Sequence, residues 1–209
     1  MTNLGADRKS PERLVALSDG IFAIAMTLLV LDIRVKEGLD AAAFRDAVHR
    51  LLPALGAYAL SFTILAGFWR DHRRILNLAH RVDGLTLRFA LTGLGAIALV
   101  PFPTTLLSDY ASQPLAVACY AVTVAVIDLL ELALFLTIWR RPWTARPISA
   151  GVGRNIVLDL GSTVLVFGAT VPVAFVSPRA AMWTWLVLVP VKLALGRRER
   201  DRDPRPDGG

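Results

Sequence analysis

Residues 13–33 read RLVALSDGIFAIAMTLLVLDI, a run long enough to cross a bilayer, yet it opens with Arg13, Ser18 and Asp19, carries Thr27 mid-span and ends near Asp32. Polar groups at membrane depth are costly, and they face protein or water rather than lipid. A plain anchor has no use for a carboxylate one turn inside the membrane. The stretch therefore predicts a functional first helix, and in a multi-span protein the first expectation is a pathway.

Five further apolar runs follow, at about 51–69, 85–107, 115–139, 156–176 and 180–195, each near the ~20 residues a span requires. The sixth is the shortest and contains Pro190 and Lys192. The expected fold is an all-α integral membrane protein of six transmembrane helices. Of the 23 Lys and Arg residues, eighteen fall on the side of the N-terminus: Arg8, Lys9 and Arg13, then the groups within 70–88, 140–154 and 192–205. Five, namely Arg34, Lys36, Arg45, Arg50 and Arg179, fall on the other. Cytoplasmic loops are enriched in Lys and Arg, so both termini are expected in the cytoplasm, and six spans preserve that alternation. The first run is too long for a cleavable leader and lacks a small-residue cleavage site.

The net charge of +6 follows from this loop bias and calls for no nucleic-acid partner. Residues 1–12 read as a polar cytoplasmic segment with the first helix starting around Ser10-Pro11-Glu12, 13–196 as one membrane domain, and 197–209 as a disordered basic tail. Asp40 before AAAFRDAVHRLL is a natural N-cap, so the second helix begins well before its apolar part. Pro53 is expected to kink or locally loosen it, and Pro101 and Pro103 in PFPTT to distort the third span. Cys119 is single, so it forms no disulfide within the chain.

Ile24, Thr27, Leu28 and Leu31 stand at i, i+3, i+4 and i+7 and share one helix face. Spacing alone leaves two readings open: an ordinary packed face, or a row that forms rings about a symmetry axis. A ring of Ile or Leu is a dry constriction that gates or filters by dewetting. Ser18 and Asp19, near the start of the helix, can meet Trp69, Arg70 and His72 at the end of the second and Arg88 before the third, or act only as local caps. Asp128 and Glu131 lie three apart on the fourth span, on one face of a helix, and are either a proton or cation site or structural hydrogen-bonding groups. Asp159, nearer an interface, reads as structural. His72 and His80 with Asp71 and Asp83 have no recognised ligand spacing, so no metal is expected. No Gly-x-Ser-x-Gly elbow, phosphate-binding loop or His-Glu-x-x-His occurs, so no catalytic residues, cofactor or enzyme activity are expected.

Across RLVALSDGIFAIAMTLLVLDI the sequence resembles the transmembrane protein 175 family of potassium channels in its short prokaryotic form. The family signature is Arg, three residues, then Phe-Ser-Asp; here Arg13 precedes Leu17-Ser18-Asp19, with Leu in place of Phe. FWRDHRR supplies a Trp-x-x-His segment as Trp69 and His72, and PFPTT also fits. The resemblance implies a pore lined by the first helices, with no selectivity-filter loop. It implies Ile24 as principal constriction, Leu28 and Leu31 as its continuation, and Thr27 as the selectivity hydroxyl. Arg13, Ser18, Asp19, Trp69 and His72 would form a structural network. Single-unit members are homotetramers, so the implied partners are potassium ions, the lipid bilayer and three further copies. The implied function is a leak-type potassium channel of the plasma membrane. The competing reading is a proton-conducting channel or proton-coupled transporter using Asp128, Glu131 and Asp159; the sequence lacks the inverted repeat expected of many such transporters.

Overall fold

A computed structural model of the chain describes residues 9–35, 37–79, 81–140, 148–185 and 188. Every described element is helical: α1 (Lys9–Leu28) continued by a 3₁₀ turn (Leu29–Asp32), α2 (Ala41–Asn77), α3 (Gly84–Ala98), α4 (Pro101–Asp109), α5 (Pro114–Trp139), α6 (Ala150–Val176) and α7 (Pro178–Thr184). Among the described residues five stretches are long and apolar enough to span a membrane, with α3 and α4 counted together as Gly84–Asp109. The expected sixth span, 180–195, falls mostly outside the described residues, as do the tail and the loop at 141–147.

Local chemistry explains most boundaries. Asp40 caps α2 by accepting from the backbone N–H groups of Ala42 and Ala43 at 3.0 and 2.8 Å. Asp83 caps α3 in the same way through Thr86, and Ser149 caps α6 through Val152. At 37 residues and a 1.5 Å rise per residue, α2 is about 55 Å long, well beyond a hydrocarbon core of about 30 Å. Pro53 lies inside it without ending it. The third span does break: α3 stops at Ala98 and α4 resumes with Pro101 at its first position. The first position of a helix has no intrahelical use for an N–H, which is why proline sits there. The N-terminal expectation shifts, since α1 begins at Lys9 and takes Pro11 into its first turn, where proline is tolerated.

α5 is the central helix, packed against α2, α3, α4, α6 and α7. α1 sits at the side of the bundle, seated mainly on α2 and α3. Two apolar clusters form the interior. One joins Phe22, Ala25 and Leu29, on α1 and its 3₁₀ turn, to Leu65, Phe68, Leu94, Ile97, Val124 and Ile127. The other, nearer the start of α1, joins Leu14 to Ile75, Leu76, Ala90, Leu134 and Phe135, and to Ile156 and Leu160 on α6.

Candidate functional site

α1 presents two distinct faces. Leu14, Ser18, Phe22, Ala25 and Leu29, spaced four, four, three and four residues apart, are all buried against the rest of the chain. Ile24, Leu28 and Leu31 stand on another side and are exposed, Ile24 at 60%. Thr27 is also exposed, and its hydroxyl donates back to the Ile24 carbonyl at 2.8 Å. That bond uses the only hydroxyl hydrogen, so the oxygen lone pairs remain available to a cation. The row at Ile24 is therefore no part of the packing among the described residues. The side chain of Asp32 lies outside the described residues.

Between the two apolar clusters runs a polar layer. Ser18 donates to the Leu14 carbonyl at 2.7 Å, and its oxygen lies 3.1 Å from His72 Nε2. His72 Nδ1 stands 2.7 Å from Glu131 Oε1. All three side chains are 2% exposed or less. Phe22 packs against the imidazole at 5.9 Å between ring centroids. Beside this chain of contacts, the Trp69 indole N–H donates to Asp19 Oδ1 at 2.7 Å, and the Arg73 guanidinium lies over the Trp69 ring at 5.5 Å.

The expected network of Arg13, Ser18, Asp19, Trp69 and His72 thus divides in two. Ser18 pairs with His72, and Asp19 with Trp69. Arg13 is exposed and makes no hydrogen bond or ion pair among the described residues. Glu131, which the sequence grouped with Asp128, is joined to His72 instead. A buried imidazole at the end of α2 does signal a need for a partner, but a separation of 59 residues hides which acid supplies it. Asp128 is buried and lines a cleft of about 220 Å³ between α2, α5 and α6, together with Asp71, Arg70 and Thr163. Asp159 is half-buried, and its carbonyl accepts from Ser162 at 2.7 Å. Among the described residues no group of three His, Cys, Asp or Glu side chains could hold a metal ion. A second hydroxyl set escaped the sequence reading: Ser61 lies 3.0 Å from the Tyr120 hydroxyl and 2.8 Å from Thr104, tying α2, α4 and α5 together. The signal for it was Tyr120 itself, because a buried phenol finds a partner.

Residues 13–101 match the family described as endosomal/lysosomal potassium channel TMEM175. A potassium channel of Streptomyces collinus is 33% identical over 172 residues, which are 79% of this chain and 82% of the relative. The chain belongs to the TMEM175 family. A potassium channel of Chamaesiphon minutus is 33% identical over 135 residues, 64% of this chain and 66% of the relative. The Gallus gallus endosomal/lysosomal proton channel TMEM175 is 23% identical over 129 residues, 61% of this chain and 26% of that longer protein. The fold matches the crystal structure of a lysosomal potassium-selective channel TMEM175 homologue from Chamaesiphon minutus, with a TM-score of 0.79 at 24% identity over 90% of this chain and 98% of the other. Family membership makes this a multi-pass membrane channel protein rather than an enzyme.

Proposed function

We propose that the chain forms a leak-type, potassium-permeable cation channel: a homotetramer of the prokaryotic inner membrane, with both termini in the cytoplasm and α1 of each copy at the axis. The observation that carries this reading is the exposed row of Ile24, Leu28 and Leu31 on a helix whose other face is fully packed. The bacterial relatives named as potassium channels supply the ion.

In this arrangement the Ile24 ring strips water from an ion without replacing it, which makes it a barrier. Potassium holds its hydration shell less tightly than sodium and loses less there. Thr27 oxygens, one turn onward, return part of the lost coordination. Liposome flux of potassium and sodium tests the mechanism. Ile24→Asn should wet the constriction, raise flux and weaken discrimination against sodium. Thr27→Val keeps the size, removes the oxygen and should lower selectivity. Unchanged flux and selectivity in an intact Ile24→Asn assembly would place the pore elsewhere.

A second reading, proton conduction, is favoured by the names of the animal relatives and by the cleft that reaches Asp128. A pH-sensitive dye inside the same liposomes separates the two. Proton entry that Asp128→Asn abolishes, with potassium flux retained, would establish a separate proton route.

A further inference from the structure

Hydrogen counting in the polar layer leads to a proton that neither side chain alone accounts for. The Ser18 hydroxyl has one hydrogen, and it goes to the Leu14 carbonyl. The 3.1 Å contact with His72 Nε2 is then made by an Nε2–H donating to the Ser18 oxygen. With Nε2 protonated, a neutral imidazole has only a lone pair at Nδ1, and a carboxylate at 2.7 Å would face it with another. One more hydrogen must lie between them. It resides on Nδ1, giving imidazolium and carboxylate, or on Glu131, giving neutral imidazole and carboxylic acid.

We propose that His72 and Glu131 together form a proton-binding site beside the start of the first helix, sharing one proton between the imidazole Nδ1 and the carboxylate. Its loss to solvent would leave one net negative charge among groups that are 1% exposed. Uncompensated buried charge is strongly disfavoured. To meet an Nδ1–H tautomer, the Ser18 hydrogen would also have to leave Leu14 for Nε2, altering how α1 is held. Other charged or titratable groups occur on the surrounding elements: Arg13 and Asp19 on α1, Arg70, Asp71, Arg73 and Arg74 on α2, Arg88 on α3, Asp128 on α5, and Arg154 and Asp159 on α6. None makes a hydrogen bond to the His72 ring or the Glu131 carboxylate, which bond only to Ser18 and to each other among the described residues. On α3, the Glu131 carboxylate faces Gly93, which has no side chain to offer it a donor. The proposal stands whether or not protons cross the membrane.

The test reads protonation directly in liposomes at neutral pH. The chain has three histidines, so replacing His49 and His80 with Gln leaves His72 as the sole imidazole. Ring nitrogen-15 spectra then report hydrogens on Nε2 and Nδ1, while carbon-13 labelling of the glutamate carboxyls reports a protonated acid by infrared, with Glu131→Gln as its control. Two outcomes support the proposal: hydrogens on both ring nitrogens, or Nε2–H alone with a protonated glutamate band that Glu131→Gln removes. Two overturn it: Nδ1–H alone with a bare Nε2, or Nε2–H alone with no protonated glutamate. The decisive ring spectrum is read with Glu131 in place, so failure of Glu131→Gln to fold leaves it intact.

Discussion

Asp19 lies half-buried near the start of α1, where it accepts from the Trp69 indole. The aromatic ring holds α1 against α2 through that single directional bond while Arg73 covers its face. Truncating Asp19 to Ala leaves the half-buried indole N–H without its acceptor, a loss of about 1 kcal/mol. The expected outcome is a lower thermal midpoint of the detergent-solubilised assembly, with the potassium-to-sodium flux ratio unchanged. Full stability with altered selectivity would move Asp19 from the packing of α1 to the permeation path. The same residue shows what sequence reasoning can reach. The need for a donor was legible in a carboxylate one turn inside an apolar run. The choice of Trp69 over Arg13, Ser18 and His72 was not, because it depends on the rotation of α1 against α2.

Among the elements, α5 and α6 form the most extensive pairing, and one glycine sets their approach. A Cβ built at Gly153 would collide with the Trp139 ring, which is itself stacked on Phe135 at 5.5 Å. A rigid indole held from both sides cannot give way cheaply, so Gly153→Ala should destabilise this pairing by about 1–3 kcal/mol as an overpacking change. Thermal unfolding monitored by tryptophan fluorescence would register it; a variant as stable as the original would mean that α6 can slide to make room. Element boundaries were readable where capping chemistry decides them, at Asp40, and where proline does, at Pro101. Pro53, expected to kink or locally loosen α2, lies inside the helix without ending it. A proline removes one hydrogen bond, and neighbouring packing decides whether the helix tolerates that loss.

At the scale of the whole molecule, one copy leaves Ile24, Leu28 and Leu31 of a polar-footed helix facing outward while its core is completed elsewhere. One such helix cannot enclose a pore, and closed cyclic symmetry is the usual way for identical copies to do so. Native mass spectrometry in mild detergent should show four copies, and Ile24→Asn should leave that number unchanged. Only monomers or dimers under those conditions would remove the basis for a ring at Ile24.

Length and hydropathy by themselves determined that this chain is helical and crosses a membrane several times, because a bilayer accepts only segments that satisfy their own backbone and bury no unpaired charge. The motif from Arg13 to Asp19, with Trp69 and His72, also carried the resemblance to the family; the cost of such residues in lipid says only that they have a role. Tertiary structure alone decided which side of α1 is spent on the core, because a row of Ile and Leu looks the same to lipid, to a pore and to a neighbouring helix. It also decided that His72 meets Glu131. Helices pack by the rotation and depth of whole side-chain rows, and two polar groups far apart in the chain reveal their pairing only once that depth is fixed.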